Sequence, residues 1–131
     1  MNNKKRGTAF EKEVVELLND QGWWVHFISP DVTGAQPFDI IAVKDTDAVA
    51  IDCKTSSRRR FGFDRLEDNQ VFAFEKWLMC GNTVPMIFVK YNGQIAIVPY
   101  LILQKEGIVD LEDFMFERGY YGIRCRQKNT D

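Results

Sequence analysis

Two neighbouring apolar runs each contain an aspartate, and this pairing constrains the fold more than any other feature of the chain. Residues 38–43 hold Asp39, and residues 48–54 hold Asp52. Each run is rich in β-favouring residues, and the polar segment 44–47 between them predicts a tight hairpin. We therefore expect two adjacent antiparallel strands that each carry a carboxylate in a largely apolar setting.

The loop between the runs predicts the register of this hairpin. If Val43 and Ala48 close the loop, Asp39 lies opposite Asp52. Strand side chains alternate between the two faces of a sheet, so Lys54 shares the face of Asp52. Opposed carboxylates repel each other, and burial makes this tolerable only with a shared proton, a cation, or both. A divalent metal ion is the simplest such cation.

The alternative explanation for the Asp-x-Lys triplet of Asp52 and Lys54 is a surface ion pair on an edge strand. A third acid near these residues would favour the metal site over the ion pair. The segment after Gly7 supplies one, because Glu11 is the charged residue inside the apolar arc of a predicted helix. The arc consists of Phe10, Val14, Val15, Leu17 and Leu18. An ionised side chain facing the core is costly unless it is paired or metal bound. The alternative is a glutamate at the edge of the arc whose carboxylate reaches solvent.

The sequence resembles the PD-(D/E)xK nuclease superfamily, and within it the Holliday-junction resolvases of archaea, bacteria and phages. The matching segments are residues 4–11, 37–42, 50–54 and 69–71, within a likeness that covers about residues 4 to 100. The order of the motifs is the specific part: a helix with a glutamate, a strand, a hairpin with two acids, and a helix with a glutamine.

Three features of the sequence depart from the pattern of this family. Phe38 separates the hallmark Pro-Asp pair, and Asp52 stands where many members have glutamate. The loop of residues 29–36 has no clear match to the serine-containing loop of the resolvases. These departures bear more on the class of substrate than on the metal chemistry.

The predicted elements and the resemblance indicate the same α/β fold class. Their order is αβββαββ, which predicts a mixed central β-sheet flanked by helices, and the resemblance implies a restriction-endonuclease-like core. We expect residues 1–131 to form a single nuclease domain. Its core would span about residues 4–100, and residues 101–131 would pack on it as a C-terminal extension with a short helix at 111–117 and a strand at 120–126.

The resemblance implies a metal-dependent endodeoxyribonuclease that resolves Holliday junctions by paired phosphodiester hydrolysis. The implied catalytic residues are Glu11, Asp39, Asp52, Lys54 and Gln70. Mg²⁺, for which Mn²⁺ can substitute, would be bound by the three acids and the backbone carbonyl of Cys53. Lys54 would orient the attacking water or stabilise charge on the phosphorane. A purely structural glutamine is the alternative reading of Gln70.

Positive charge is concentrated in two clusters, although the net charge of the whole chain is −2. The candidate DNA-binding residues are Lys4, Lys5 and Arg6 in the first cluster, and Arg58, Arg59, Arg60 and Arg65 in the second. Phosphate contacts need local rather than global positive charge, and the second cluster follows the proposed metal strand directly. The alternative is an arginine-rich loop that is simply solvated.

A second helix is predicted from a capping box at Asp64 and Glu67 to about Cys80, with Gly81 as its stop signal. Its inner face would carry Gln70 among apolar residues. Those are Leu66, Ala73, Phe74, Trp77, Leu78 and Cys80. A buried amide must find hydrogen-bond partners, so we expect Gln70 to contact the site.

The outer face of the same helix carries Phe72 and Met79, an exposed apolar pair that predicts a docking surface. The resolvases that this chain resembles act as two-fold dimers, so we expect a homodimer. The partner DNA would be a branched four-way junction.

Several other classes of protein do not fit the sequence. The apolar stretches are too short and too charged to span a bilayer, and the start of the chain lacks a secretory signal, so we expect an intracellular, cytoplasmic protein of a cell or a phage. Three widely spaced cysteines predict neither zinc nor disulfides. Two competing functions remain open: another endonuclease of the same superfamily, acting in restriction, repair or replication, and a catalytically inactive DNA-binding module.

Overall fold

The computed structural model describes residues 3–28 and 36–116, with side chains described from residue 9 onward in these ranges. The helices and strands, in chain order, are α1 Asn3–Asp20, β1 Trp24–Phe27, β2 Ile40–Lys44, β3 Asp47–Ser56, β4 Arg60–Gly62, α2 Asp68–Met79, β5 Met86–Tyr91, β6 Gln94–Pro99, α3 Tyr100–Glu106 and β7 Ile108–Asp110. Two short 3₁₀ turns lie at Phe63–Arg65 and Leu111–Phe114. No helix within the described ranges is both long enough and apolar enough to cross a membrane.

Five strands form the central sheet in the order β1-β2-β3-β5-β6. Strands β3 and β5 are parallel, and the other neighbours are antiparallel, so the sheet is mixed. Apart from the short β4, the elements through β6 follow the order αβββαββ, which confirms the predicted fold class. Strands β4 and β7 form a separate two-stranded antiparallel sheet.

Helices cover both faces of the central sheet, and each face has its own apolar core. Phe10, Val14 and Leu18 of α1 are buried in one cluster. On the other face, Phe74 of α2 and Tyr100 of α3 are buried in a second cluster, with their ring centroids 5.1 Å apart. The sheet is thus held between α1 on one side and α2 with α3 on the other.

The β2–β3 hairpin has the register that its loop predicts. Val43 pairs with Ala48, and the turn residues Asp45 and Thr46 have positive φ angles of 52° and 71°. Positive φ at both central residues is what a two-residue type I′ turn requires.

The ladder between β2 and β3 ends at Ile40, which pairs with Ile51. The backbone N–H of Asp39 donates to the carbonyl of that same Ile51 at 3.1 Å, so the predicted pairing of Asp39 directly opposite Asp52 does not form. Asp39 is held by this hydrogen bond directly before its strand.

The start of α2 differs from the prediction. The helix begins at Asp68, and its capping box is formed by Glu67 and Gln70, so the predicted box of Asp64 and Glu67 is wrong. Asp64 lies in a 3₁₀ turn that ends where the backbone becomes extended at Leu66. The side chain of Leu66 is buried. The chain leaves helical geometry to bury this leucine before α2 begins.

The end of α2 agrees with the prediction at its glycine but not at its cysteine. Gly81 adopts a φ of +83°, and its N–H donates to the carbonyl of Leu78 at 2.9 Å, as in a helix stop. Cys80 is exposed, so its assignment to the inner face is wrong. The helix ends at Met79, and the backbone at Cys80 has already left the helical path.

The segment after β6 is more structured than its sequence signals indicate. Helix α3 and strand β7 were not predicted, and the predicted helix at 111–117 is a 3₁₀ turn over Leu111–Phe114. Leu103, Val109 and Leu111 are buried in the core beside α2. The predicted strand at 120–126 lies outside the described residues.

Candidate functional site

Asp39 is buried at the open end of the hairpin, and both of its carboxylate oxygens are held by hydrogen bonds. Oδ2 accepts a hydrogen bond from the backbone N–H of Cys53 at 2.8 Å. Oδ1 accepts one from the side-chain amide of Gln36 at 2.9 Å. The carboxylate is therefore fixed in one orientation relative to β3.

Asp52 lies on β3 close enough to Asp39 for the two carboxylates to interact, and it is only 1% exposed. Its Oδ1 accepts a hydrogen bond from the amide of Gln70 at 2.9 Å. Its Oδ2 lies 3.3 Å from Nζ of Lys54 but accepts no hydrogen bond from the described residues. Burial raises the pKa of Asp52 well above its ordinary value, and the charge of Asp39 raises it further, while Lys54 opposes both effects. Oδ2 of Asp52 therefore lacks a hydrogen-bond donor in the described part of the chain and has the Lys54 ammonium as its cationic neighbour.

Glu11 reaches the same region from α1, which covers the face of the sheet opposite to α2. Burial raises the pKa of Glu11 to about 7, and the charge of Asp39 and a shared hydrogen bond with it add to the rise. The structure therefore brings Glu11 against Asp39, and Asp39 against Asp52. A carboxylate that is hard to ionise in this way gains most from a nearby cation.

Lys54 and Gln70 tie the acids to the first turn of α2. Nζ of Lys54 donates to Oε1 of Gln70 at 3.1 Å, and the same oxygen accepts the N–H of Glu67 at 3.0 Å. Gln70 is 7% exposed, and its amide nitrogen contacts Asp52. One glutamine side chain therefore caps α2 and fixes the positions of both an acid and the lysine.

The Cys53 thiol packs with the α1 cluster, on the face of β3 away from Lys54. Burial raises the pKa of this thiol well above its ordinary value, and the charges of Asp39, Asp52 and Glu11 raise it further. The thiol is thus kept protonated and unreactive. Because the charges of all three carboxylates act on the pKa of this thiol, the three carboxylates lie around this short stretch of β3.

The donor set fits a hard divalent cation that keeps part of its water shell. Within residues 3–28 and 36–116, no group of three His, Cys, Asp or Glu side chains is already arranged to hold a metal ion. Asp39 nonetheless lies close enough to Asp52 for its charge to act on that carboxylate, and one oxygen of Asp52 has no hydrogen-bond donor among these residues. Mg²⁺ is commonly bound through one or two carboxylates with several waters, which matches this arrangement.

A broad groove of about 1380 Å³ runs beside this site. All four arginines of the second basic cluster line it, together with Thr55, Ser57 and Lys90. Glu11, Asp39 and Asp52 are not among its lining residues, but Thr55 follows Lys54 directly along β3. A polyanion lying in the groove would therefore pass next to the acidic residues.

The four arginines of the groove are not equivalent. Arg59 forms an ion pair with Asp110 at 2.8 Å. Arg65 donates to the carbonyl of Thr55 at 2.8 Å and lies over the ring of Phe61. The side chains of Arg58 and Arg60 are exposed. The predicted residues Lys4, Lys5 and Arg6 belong to α1, but their side chains lie outside the described part of the structure.

Two residues that contact this region were not predicted from the sequence. Gln36 orients Asp39, and its backbone carbonyl accepts a hydrogen bond from the amide of Asn69 at 2.9 Å. Lys90 donates to both carboxylate oxygens of Glu13 at 2.8 Å inside the groove. Lys90 pairs across the sheet with Thr55, so only the parallel register of β3 and β5 reveals its position.

Comparison with known proteins gives a consistent family assignment. A family model described as archaeal Holliday junction resolvase (Hjc) matches residues 2–121. The crossover junction endodeoxyribonuclease Hjc of Methanocaldococcus jannaschii is 25% identical over 103 residues, which cover 79% of this chain and 72% of that protein. The solved structure of Hjc from Archaeoglobus fulgidus, a Holliday junction resolvase, superimposes with a TM-score of 0.65 at 16% identity, over 92% of this chain and 98% of that one.

Proposed function

The chain belongs to the archaeal Holliday junction resolvase family, and on this basis we propose that it is a structure-specific endonuclease that resolves four-way DNA junctions by paired phosphodiester hydrolysis. The observation that supports this most is the buried Asp52, which lies near the carboxylate of Asp39 and 3.3 Å from the Lys54 ammonium. This combination of paired carboxylates and one cationic side chain suits hydrolysis of a phosphodiester. The adjoining basic groove provides room for the DNA backbone.

We propose that Glu11, Asp39, Asp52 and the backbone carbonyl of Cys53 hold Mg²⁺, with Mn²⁺ able to substitute. When bound, the ion would supply a Lewis acid that lowers the pKa of a water and neutralises charge on the scissile phosphate. The unsatisfied oxygen of Asp52 and the raised pKa of Glu11 support this assignment. A buried carboxylate oxygen without a hydrogen-bond donor is costly to ionise, and a raised pKa has the same meaning, so a bound cation would stabilise both Asp52 and Glu11.

The side chains around the acids have separate tasks in this mechanism. Lys54 would hold the attacking water or stabilise the charge that grows on the phosphorane. Gln70 fixes Lys54 and Asp52 relative to each other through one amide group. Gln36 and the N–H of Cys53 hold Asp39, so the carboxylate does not have to reorient when DNA arrives.

The proposed DNA contacts fall mainly on Arg58 and Arg60, whose exposed side chains line the groove. Lys4, Lys5 and Arg6 would contact the backbone from the first turns of α1. Arg59 and Arg65 already have partners within the protein, so we assign them to shaping the groove rather than to direct phosphate contact. The set of residues proposed to contact DNA phosphates is therefore smaller than the set that the sequence predicts.

We propose that the protein acts as a homodimer that docks through the outer face of α2. Phe72 is 70% exposed and Met79 is 85% exposed. Both side chains therefore leave apolar surface in contact with water unless a partner covers them. Two active sites in one dimer suit the two symmetric strands of a junction. Sedimentation at micromolar concentration should show a dimer, and a purely monomeric species would contradict this assignment.

We also propose that the whole chain functions as one nuclease domain, with residues 101–131 as an extension that packs on the core. The burial of Leu103, Val109 and Leu111 beside α2 supports this for the described part of the extension. Because the proposed substrate is recombining DNA, we expect the protein to act in the cytoplasm.

A cleavage panel tests the proposed function. Four-way junctions, linear duplexes, flaps and single strands of matched sequence are incubated with the protein in Mg²⁺, and again in EDTA. We expect paired cuts in the junction and no cutting of any substrate in EDTA. Preferential cutting of a linear or flapped substrate would indicate another nuclease of the superfamily. Junction binding without cutting in either Mg²⁺ or Mn²⁺ would indicate an inactive DNA-binding module.

Gln36→Ala should lower metal affinity and cleavage by about 10- to 100-fold, because residues that orient a metal ligand typically have effects of this size. The substitution removes the side-chain donor to Asp39 and keeps the backbone carbonyl that Asn69 contacts. Raising the Mg²⁺ concentration should restore most of the cleavage rate. Gln94→Ala, on the exposed β5–β6 hairpin, is the matched control and should leave the Mg²⁺ dependence unchanged. An equal shift in both variants would contradict the role of Gln36.

Replacing Arg58 and Arg60 together by alanine should weaken junction binding and flatten its dependence on salt. Each lost phosphate contact should reduce the slope of log affinity against log salt by about 1. Lys105→Ala removes a positive charge outside the groove and should leave the slope unchanged. A slope that is identical in the double variant and the wild type would assign the loop to solvent.

A further inference from the structure

The arginine-bearing segment after β3 is held in place by the chain that follows α3. Strand β4 pairs with β7, with Arg60 opposite Asp110. The pairing is extended at both ends, because the N–H of Leu111 donates to the carbonyl of Arg59 at 2.8 Å and the N–H of Phe63 donates to the carbonyl of Gly107 at 2.7 Å. The segment is thus one strand of a small sheet rather than a free loop.

This small sheet is anchored in the hydrophobic core. Phe61 of β4 and Leu111 are both fully buried, and Val109 of β7 is 6% exposed. These side chains belong to the same cluster as Phe74 of α2. A backbone anchored in this way fixes the point from which its outward-facing side chains extend.

The ion pair between Arg59 and Asp110 completes the connection between the two strands. Nε of Arg59 donates to Oδ1 and Oδ2 of Asp110 at 2.9 and 3.0 Å, and Nη2 donates to Oδ2 at 2.8 Å. Oδ1 of Asp110 also accepts the N–H of Glu112 at 3.0 Å. These hydrogen bonds, those from Arg59 above all, lower the pKa of Asp110 below its ordinary value. A planar guanidinium that is bound by a carboxylate in this way has a fixed orientation.

We propose that Asp110 is a positioning residue for DNA binding: by engaging Arg59 it holds β4 so that Arg58 and Arg60 face the groove. This inference rests on the proposed function, in which the groove takes the phosphate backbone of a junction. It gives the β7 segment a role in substrate binding, although Asp110 itself is not expected to touch DNA.

The direction in which DNA affinity changes when Asp110 is neutralised separates a positioning role from a purely electrostatic one. Asp110 is an acid beside a groove that binds a polyanion, so charge alone predicts tighter DNA binding when it is neutralised. A positioning role predicts the opposite, because the segment that carries Arg58 and Arg60 loses a contact that holds it, and ordering this segment again opposes binding. Asparagine is the suitable replacement, since its side-chain oxygen can still accept the N–H of Glu112.

The test measures the affinity of full-length protein for a synthetic four-way junction in Ca²⁺ or EDTA, where strands are not cut. Asp110→Asn should weaken binding about two- to fivefold, the range expected for an exposed ion pair. Glu112→Gln removes the same charge next to Arg59 without breaking its hydrogen bonds, and should leave binding unchanged or slightly tighter. Binding by Asp110→Asn that equals or exceeds that of the wild type would overturn the proposal.

A charge exchange provides a second measurement that a general loss of structure would not reproduce. Arg59→Asp alone should bind weakly, and adding Asp110→Arg should recover much of the affinity. The combination of Arg59→Asp with Glu112→Arg has the same net charge as the exchange but does not rebuild the pair, and it should stay weak. Equal affinities of the two combinations would overturn the proposal, because charge alone would then explain the data.

Failure of this inference is distinguishable from failure of the proposed function. If the wild type does not prefer the junction over linear duplex, the proposed function itself is wrong. If the wild type prefers the junction and only the Asp110 comparisons fail, the groove binds DNA without help from β7. Thermal unfolding of each variant, monitored by circular dichroism, identifies any weak binding that comes from loss of the fold.

Discussion

Asp52→Asn should abolish junction cleavage, with a rate at least on the order of 10³-fold below that of the wild type. Asparagine keeps the size of the side chain and an oxygen that can accept the amide of Gln70, but it removes the charge that holds a cation. Junction binding should be kept or strengthened, because a negative charge is removed from beside the DNA phosphates. Single-turnover cleavage and gel-shift affinity, measured on the same junction, report the two properties separately.

The same variant should be at least as stable as the wild type in the absence of metal. Burial raises the pKa of Asp52 well above its ordinary value, so at neutral pH the unfolded chain accommodates the ionised carboxylate more easily than the folded chain does. Replacing it by a neutral amide therefore leaves the free energy of unfolding unchanged or raises it. Asp20→Asn, at the exposed end of α1, is the control and should cleave normally. Cleavage by Asp52→Asn within tenfold of the wild type would contradict the proposed role.

Lys54→Met should reduce the cleavage rate by about 10²- to 10³-fold, as expected when a charged group that stabilises a transition state is lost. The ammonium lies 3.3 Å from Asp52 and 3.1 Å from the side-chain oxygen of Gln70. Methionine preserves most of the volume and the packing of the side chain. Because Lys54 also opposes the rise in the pKa of Asp52, metal binding should weaken as well.

A metal titration separates these two effects of Lys54. If the lysine acts on the reacting phosphate, the rate of Lys54→Met stays low at saturating Mg²⁺. Recovery of the full rate at high Mg²⁺ would show instead that Lys54 acts only by lowering the pKa of Asp52 and so supporting metal binding. Lys44→Met is the matched control, since Lys44 donates to the backbone carbonyl of Gln21 at 2.6 Å and belongs to the turn end of the hairpin. It should cleave at the wild-type rate.

The fold was predictable from sequence wherever local signals decide the structure. The polar loop at 44–47 sets the β2–β3 hairpin, whose strands pair in the expected register from Ile40 to Lys44. The Asn-Gly pair at 92–93 is a local signal of the same kind and closes the β5–β6 hairpin. Helix α3 gave no such signal, because it begins at Tyr100 directly after β6 with no side-chain cap. Strand β7 is three residues long and is stabilised by pairing with β4, far away in the chain.

The candidate site shows the same division between local and distant information. Alternation along β3 was enough to place Lys54 beside Asp52. The partner of Arg59 is 51 residues away along the chain, so a local charge count treats this arginine as free. Gln36 lies in an irregular segment without periodicity, and its contact with Asp39 depends on how that segment turns. Motif order indicates the chemistry, whereas the supporting contacts depend on the folded chain.

The most direct test is a crystal of the protein grown with Mn²⁺ and measured for anomalous scattering. We expect a peak at about 2.0 to 2.5 Å from carboxylate oxygens of both Asp39 and Asp52, the ordinary range for hard cations and oxygen ligands. The carbonyl of Cys53 should also lie next to the peak. Absence of a peak at saturating Mn²⁺, or a peak bound by other residues, would contradict a metal centre built from the two opposed strands.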